Sequence, residues 1–167
     1  DMDIGAVSVA SDTTLTTGSG ALNAGAVTLA DGVTLTVGTV SGVTVASVTG
    51  VSGGTSNLGF NVGPTTASVT GAVGTGIGTV TVTESAGMTF GGAVTADALT
   101  LTDTTGTIQF DEDVTVGTLT TAAEAYNLTF SENVTVTNDA TLAAITGNVT
   151  IGDGTDDVAT FMGGVDT

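Results

Sequence analysis

Along most of the chain, apolar and polar side chains alternate in short runs. Ile108-Gln109-Phe110, Val114-Thr115-Val116 and Leu99-Thr100-Leu101 each put two apolar residues on one side of an extended backbone and a polar one on the other. Gly, Asp, Asn and Ser separate the runs, as corners between strands require. The pattern predicts strands of about three to five residues, each with one buried face. TTAAEAYNL, from Thr120 to Leu128, is the best helical candidate, and it lies inside a repeat of strand and turn.

The same side chains return at a fixed interval. Phe90, Phe110 and Phe130 are twenty residues apart, and so are Met88, Ile108 and Leu128. Val94, Val114 and Val134 keep the step, followed by Thr95, Thr115 and Thr135. Val149 and Ile151 then take the places of Leu128 and Phe130 with a slip of one. Near the start, Val7 and Val27, Val9 and Leu29, and Leu15 and Leu35 share the spacing. A unit this short cannot bury its own face, but units stacked on one another bury a continuous core.

The expected fold is therefore all-β: a parallel β-solenoid of about twenty residues per coil, with residues 1–167 forming a single domain of about eight coils. Strand spacing makes that a rod roughly 40 Å long. The crossover rule for parallel strands favours a right-handed coil. From about 37 to 87 the Val/Thr/Gly texture persists while the register is lost, which predicts irregular coils, with Pro64 at a corner or an edge. IGDGTDDVATFMGGV predicts a corner excursion over about 152–160, before TFMGGV repeats the TFGGAV of Thr89 to Val94.

Composition narrows the function. The chain carries 17 carboxylates and no Lys, Arg or His, for a formal charge of -17. Phosphate neutralisation of nucleic acid and attraction to an anionic membrane are both excluded as binding modes. Only 10% of residues are charged, so the surface is chiefly hydroxyl and amide with acidic spots. No apolar run is long enough to span a membrane as a helix. The sequence begins at Asp1 without a signal peptide, so the expectation is a removed leader or a longer parent chain.

Acid–base chemistry by paired carboxylates needs partners that are scarce here. There is no Trp, one Tyr and no cationic side chain to hold a sugar or stabilise charge. Serine nucleophiles lack a histidine base. The expectation is a protein without catalytic residues or a bound organic cofactor. Asp153, Asp156 and Asp157 in GDGTDD are the best ligand-like group; carboxylates in a Gly-containing loop either gather around Ca²⁺ or form a solvated turn. Asp111-Glu112-Asp113 is a second acidic corner, expected to be a solvated turn. Thr-x-Thr pairs at Thr14/Thr16, Thr34/Thr36, Thr100/Thr102, Thr118/Thr120 and Thr135/Thr137 are either ordinary outward strand residues or an ice-binding array, with ranks that break in the middle coils. Asn127, Asn133 and Asn148 head N-glycosylation sequons and are equally good corner residues.

With its twenty-residue coils and phrases such as GNVTIGDGTDD and GAVTLADGVTLT, the chain resembles the β-helical passengers of bacterial surface adhesins of the filamentous-haemagglutinin and autotransporter type. That resemblance implies secretion, display at the cell surface, and an adhesive or stalk role toward a host, surface or glycan ligand. The absence of basic residues departs from it. Neither terminal sequence resembles a cap, which predicts end-to-end self-association or continuation in a longer chain.

Overall fold

The alternation folds into parallel strands stacked coil on coil. The computed structural model describes residues 1–38, 41–51, 53, 55–142 and 145–167. The first coil holds β1 (Met2–Ile4), β2 (Val7–Val9) and β3 (Thr13–Leu15). The second holds β4 (Leu22–Leu29) and β5 (Thr34–Val37), the third β6 (Val43–Gly50) and β7 (Ser56–Asn61). The fourth has β8 (Thr66–Val69) and β9 (Ile77–Ser85), the fifth β10 (Gly87–Phe90) and β11 (Val94–Thr104), the sixth β12 (Thr107–Phe110) and β13 (Val114–Thr121). The seventh has β14 (Asn127–Phe130), β15 (Val134–Val136) and β16 (Ala140–Thr141), and the eighth β17 (Val149–Ile151), β18 (Ala159–Phe161) and β19 (Val165–Asp166). There is no helix among the described residues, and the TTAAEAYNL segment is strand and loop.

Several strands are longer than the alternation predicts, because they continue round a corner. In β4 the buried residues are Leu22, Ala24, Val27 and Leu29, so alternation slips by one at Gly25. In β13 it slips at Gly117, between Val116 and Leu119. The backbone turns while the apolar side stays inward, giving three strand runs around one core and three outward faces. At Gly117 a Cβ would sit 2.3 Å from the Asp97 carbonyl oxygen, so the close approach at this corner requires glycine.

Ladders of like side chains climb the core. Met88, Ile108, Leu128 and Val149 are successive partners, as are Phe90, Phe110, Phe130 and Ile151. Phe90 stacks on Phe110 with ring centroids 4.8 Å apart, and Phe110 on Phe130 at 5.0 Å. Phe60, in a different run, meets Phe90 edge-on across the core at 6.3 Å. Each of these rings is almost wholly buried, and burying an aromatic side chain contributes roughly 1.5–3 kcal/mol.

The ladders also pass through residues 37–87. Val27, Val48, Val73 and Val94 follow one another in a single column. The repeat is longer here: Val48 to Val73 takes 25 residues, against 20 from Val94 to Val114. Most of the surplus lies between β6 and β7, since Gly50 N–H donates to the Thr75 carbonyl and Ser56 already pairs with Ile77; register shifts at Ser56/Asn57 and Phe60/Asn61 add residues to β9 instead. Pro64 sits in the turn between β7 and β8, next to Gly63 at φ +60°.

Two expected alignments are corrected. Leu15 pairs with Val37, and the partner of Leu35 is Thr13. The turn through Gly32, at φ +70°, carries two more residues than the matching turn after Val9. TFMGGV does not take the place of TFGGAV either. Phe161 pairs with Val136 and Val165 with Ala140, so the segment lies one strand run further along the coil. Between Ile151 and Ala159 the last coil has an excursion in which Gly152 adopts φ +78°.

Candidate functional site

The densest group of carboxylates gathers at one corner of the last three coils. Turns between β12 and β13, β14 and β15, and β17 and β18 bring together Asp111, Glu112 and Asp113, then Glu132, then the Asp153–Asp157 loop. Asp157 above all raises the Glu132 pKa over its ordinary value, with lesser contributions from partial desolvation and from Asp153, Glu112 and Asp113. Like charges without a cation make the second ionisation in such a group harder.

Hydrogen bonds hold much of this corner together. Asp113 Oδ1 accepts from the Asn133 side-chain amide at 2.9 Å and from its backbone N–H at 3.3 Å. Asn133 Oδ1 in turn accepts from Val158 N–H at 2.9 Å. Asp157 Oδ2 accepts from the N–H groups of Asp153 and Gly154 at 2.7 and 2.6 Å. These carboxylates help satisfy the corner N–H groups of Asn133, Asp153 and Gly154; that of Asp153 also donates to the Ser131 carbonyl of the coil before at 3.1 Å. Asp153, Asp156 and Asp157 share one exposed loop. Among the described residues, however, no three carboxylates are grouped closely enough to hold a metal ion.

The same device recurs up the rod. Asn23 donates to Asp3 at 2.7 Å, Thr34 N–H to Asp12 at 2.9 Å, and Thr79 N–H to Asn57 Oδ1 at 3.1 Å. Two of the three sequon asparagines belong to it. Asn133 uses both ends of its amide, and Asn127 Oδ1 accepts from Asn148 N–H at 3.0 Å. Asn148 is exposed.

The hydroxyl surface sorts by face. One face carries a single outward column in which Ser8, Thr28 and Thr49 precede Thr95, Thr115, Thr135 and Thr160. Another has a mixed column: Asp3, Asn23, Thr44, Ser68, Thr89, Gln109, Thr129 and Thr150. The third is the broad face of β9, β11 and β13. Thr137 of the expected Thr135/Thr137 pair leaves this pattern and lines an open trough with Asp97 and Asn138.

One buried group escaped the sequence. Tyr126, in the loop between β13 and β14, is buried, and its hydroxyl has no hydrogen-bond partner among the described residues. Burial pushes its pKa up; the Thr121 and Ala122 dipoles pull the other way from outside hydrogen-bonding geometry. Comparison of the chain with family models, with curated proteins and with solved structures finds no match.

Proposed function

We propose that this chain is a non-enzymatic structural and adhesive β-solenoid module of an extracellular, cell-surface protein. The observation that carries the reading is the unbroken stacking of eight coils, which makes a stiff spacer with three long faces for display. The acidic, hydroxyl-rich surface suits contact with a glycan or another surface and disfavours nucleic acid. Immunolabelling of intact cells of the source organism tests it. Antibody against the chain is expected to decorate the outside, and label confined to the cytoplasm would overturn the assignment.

A second reading, a subunit that stacks end to end, is favoured by the last coil. Val149, Ile151 and Val165 are 39%, 40% and 44% exposed, although they continue columns that are buried in the coil before. The first coil offers the partly buried Met2 and Ile4 in the columns of Val149 and Ile151, and Val7 in the column that ends at Ala159. Either the next coil of a longer chain or the first coil of a second copy can cover such an edge. The second case is heterologous and propagates as a fibre, opposed by the charge and assisted by salt. Light scattering of the 167-residue chain is expected to grow with ionic strength and to be suppressed by Val7→Pro, which puts a ring into the exposed edge strand. A monomer at high salt and high concentration would exclude this reading.

A further inference from the structure

The three outward faces differ in width. On the face of β9, β11 and β13 each coil presents three outward positions in a row. They are Thr79, Thr81 and Thr83, then Ala98, Thr100 and Thr102, then Thr118, Thr120 and Ala122. Seven of these nine positions are threonine. Ala98 pairs with both Thr79 and Thr118, and Thr100 with both Thr81 and Thr120. The positions between them, Val80, Val82, Leu99, Leu101 and Leu119, are buried. That holds the backbone of the patch on a packed core.

The patch is regular in two directions. Strand spacing sets a step of roughly 4.8 Å along the rod, and two residues of strand set one of roughly 6.6 Å across it. No register shift interrupts β9 against β11, whereas β7 against β9 has two. Asn57 and Gly59 replace the threonines in the coil below. β-branching restricts each threonine χ1, so methyl and hydroxyl groups project in few orientations. The Thr102 hydroxyl is further held by the Thr83 carbonyl at 2.9 Å.

None of the nine positions is charged, in a chain of net charge -17. Glu84 and Asp97 lie at the margins. Ionic recognition is therefore absent from the patch. A small soluble molecule would engage one or two rungs and gain nothing from the rest. A ligand that uses the whole mesh must itself repeat in two dimensions on a few-ångström scale, and must both donate and accept hydrogen bonds. Ordered water at a crystal face has that chemistry.

The geometry points to the β9–β11–β13 face as an ice-binding surface centred on Thr100. This goes beyond a display or spacer role and stands or falls separately from cell-surface location. The other faces lack the arrangement: one is a single file with Asp97 and Asp113 beside it, and the other mixes Asp, Asn, Gln and Ser.

The test is ice growth in solutions of the 167-residue chain, read as thermal hysteresis and as inhibition of recrystallisation. The parent is expected to shape crystals and slow their growth. Thr100→Lys, at the centre of the patch, is expected to lose most of that effect, while Thr115→Lys on the narrow face retains it. Melting curves of both variants establish that each is folded, and Thr100→Ser, which keeps the hydroxyl and removes the methyl, is expected to show partial loss. A parent without effect on ice overturns the proposal. Equal loss in Thr100→Lys and Thr115→Lys overturns it as well, as does sedimentation with crystalline cellulose or chitin without any effect on ice.

Discussion

The seventh and eighth coils carry nearly the same inward pattern and meet different fates. Leu128 and Phe130 are 0% and 1% exposed; their partners one coil on, Val149 and Ile151, are 39% and 40% exposed. Residue type does not account for the contrast, since all four are large and apolar. The difference lies in neighbours: the seventh coil is covered above and below, the eighth on one side only. Burial in this molecule belongs to the contact between coils, as expected for a stacked repeat. The contrast therefore predicts that equivalent substitutions cost very different amounts.

The largest effect should come from the ladder. Phe110→Ala, between two stacked rings, is expected to cost about 3–5 kcal/mol, and Phe110→Asp more, since it buries a charge with no cation to meet it. Ile151→Ala should cost about 1 kcal/mol, because much of that side chain is already in water. Urea midpoints check the pair, and equal shifts at both positions would break the comparison. Next is local opening. Amides of β17–β19 should exchange hydrogen far faster than those of β12–β15, since fewer contacts hold the outer coil. Uniform protection would mean that the end coil is covered in solution.

Smaller effects sharpen the picture. Tyr126→Phe removes a buried hydroxyl that has no partner among the described residues and is expected to raise stability by about 1 kcal/mol, measured by denaturant titration. The acidic corner joins the two coils under comparison, with Glu132 on one and Asp157 on the other. Because Glu132 is raised above its ordinary value of 4.5 in the fold, the native state holds its proton longer than the unfolded chain does. Its favourable contribution is full below the unfolded pKa and is lost as pH rises through the folded one. Glu132→Gln should therefore flatten the fall in stability just above pH 4.5, followed by melting temperature at low salt. Smallest is the response to divalent ions: Ca²⁺ and Mg²⁺ at equal concentration should shift melting alike, by screening. A shift specific to Ca²⁺ and abolished by Asp157→Asn would establish a calcium site in the loop.

Much of the fold could be read from alternation and period. Phe90, Phe110 and Phe130, Val94, Val114 and Val134, and the slip to Val149 and Ile151 stand where their spacing places them. What spacing could not supply was the number of residues in each corner. Corner residues such as Asp31 and Gly32 stay exposed, with only Val33 of that corner turned into the core, so adding two residues there leaves the inward pattern of the strands unchanged. That is why Leu15 met Val37, and why Phe161 stands beside Val136. The same uncertainty hid the broad threonine face, because Thr79, Thr81 and Thr83 lie in the stretch whose register spacing could not assign. At the acidic corner, composition identified Asp153, Asp156 and Asp157, but gave no sign that Asp157 would cap two backbone N–H groups. Tyr126 carried no periodic signal, since it recurs nowhere.

Strand pairing confined, among the described residues, to neighbouring coils has a mechanical consequence. A tether pulling on one end loads the ladder of a single outer coil, while the hydrogen bonds of the others carry no peeling force. Each coil that yields releases about 21 residues, or roughly 70 Å of extended chain, and transfers the load to the next. Under tension the rod would lengthen in steps of one coil and rewind as the force drops, a yielding link rather than a brittle one.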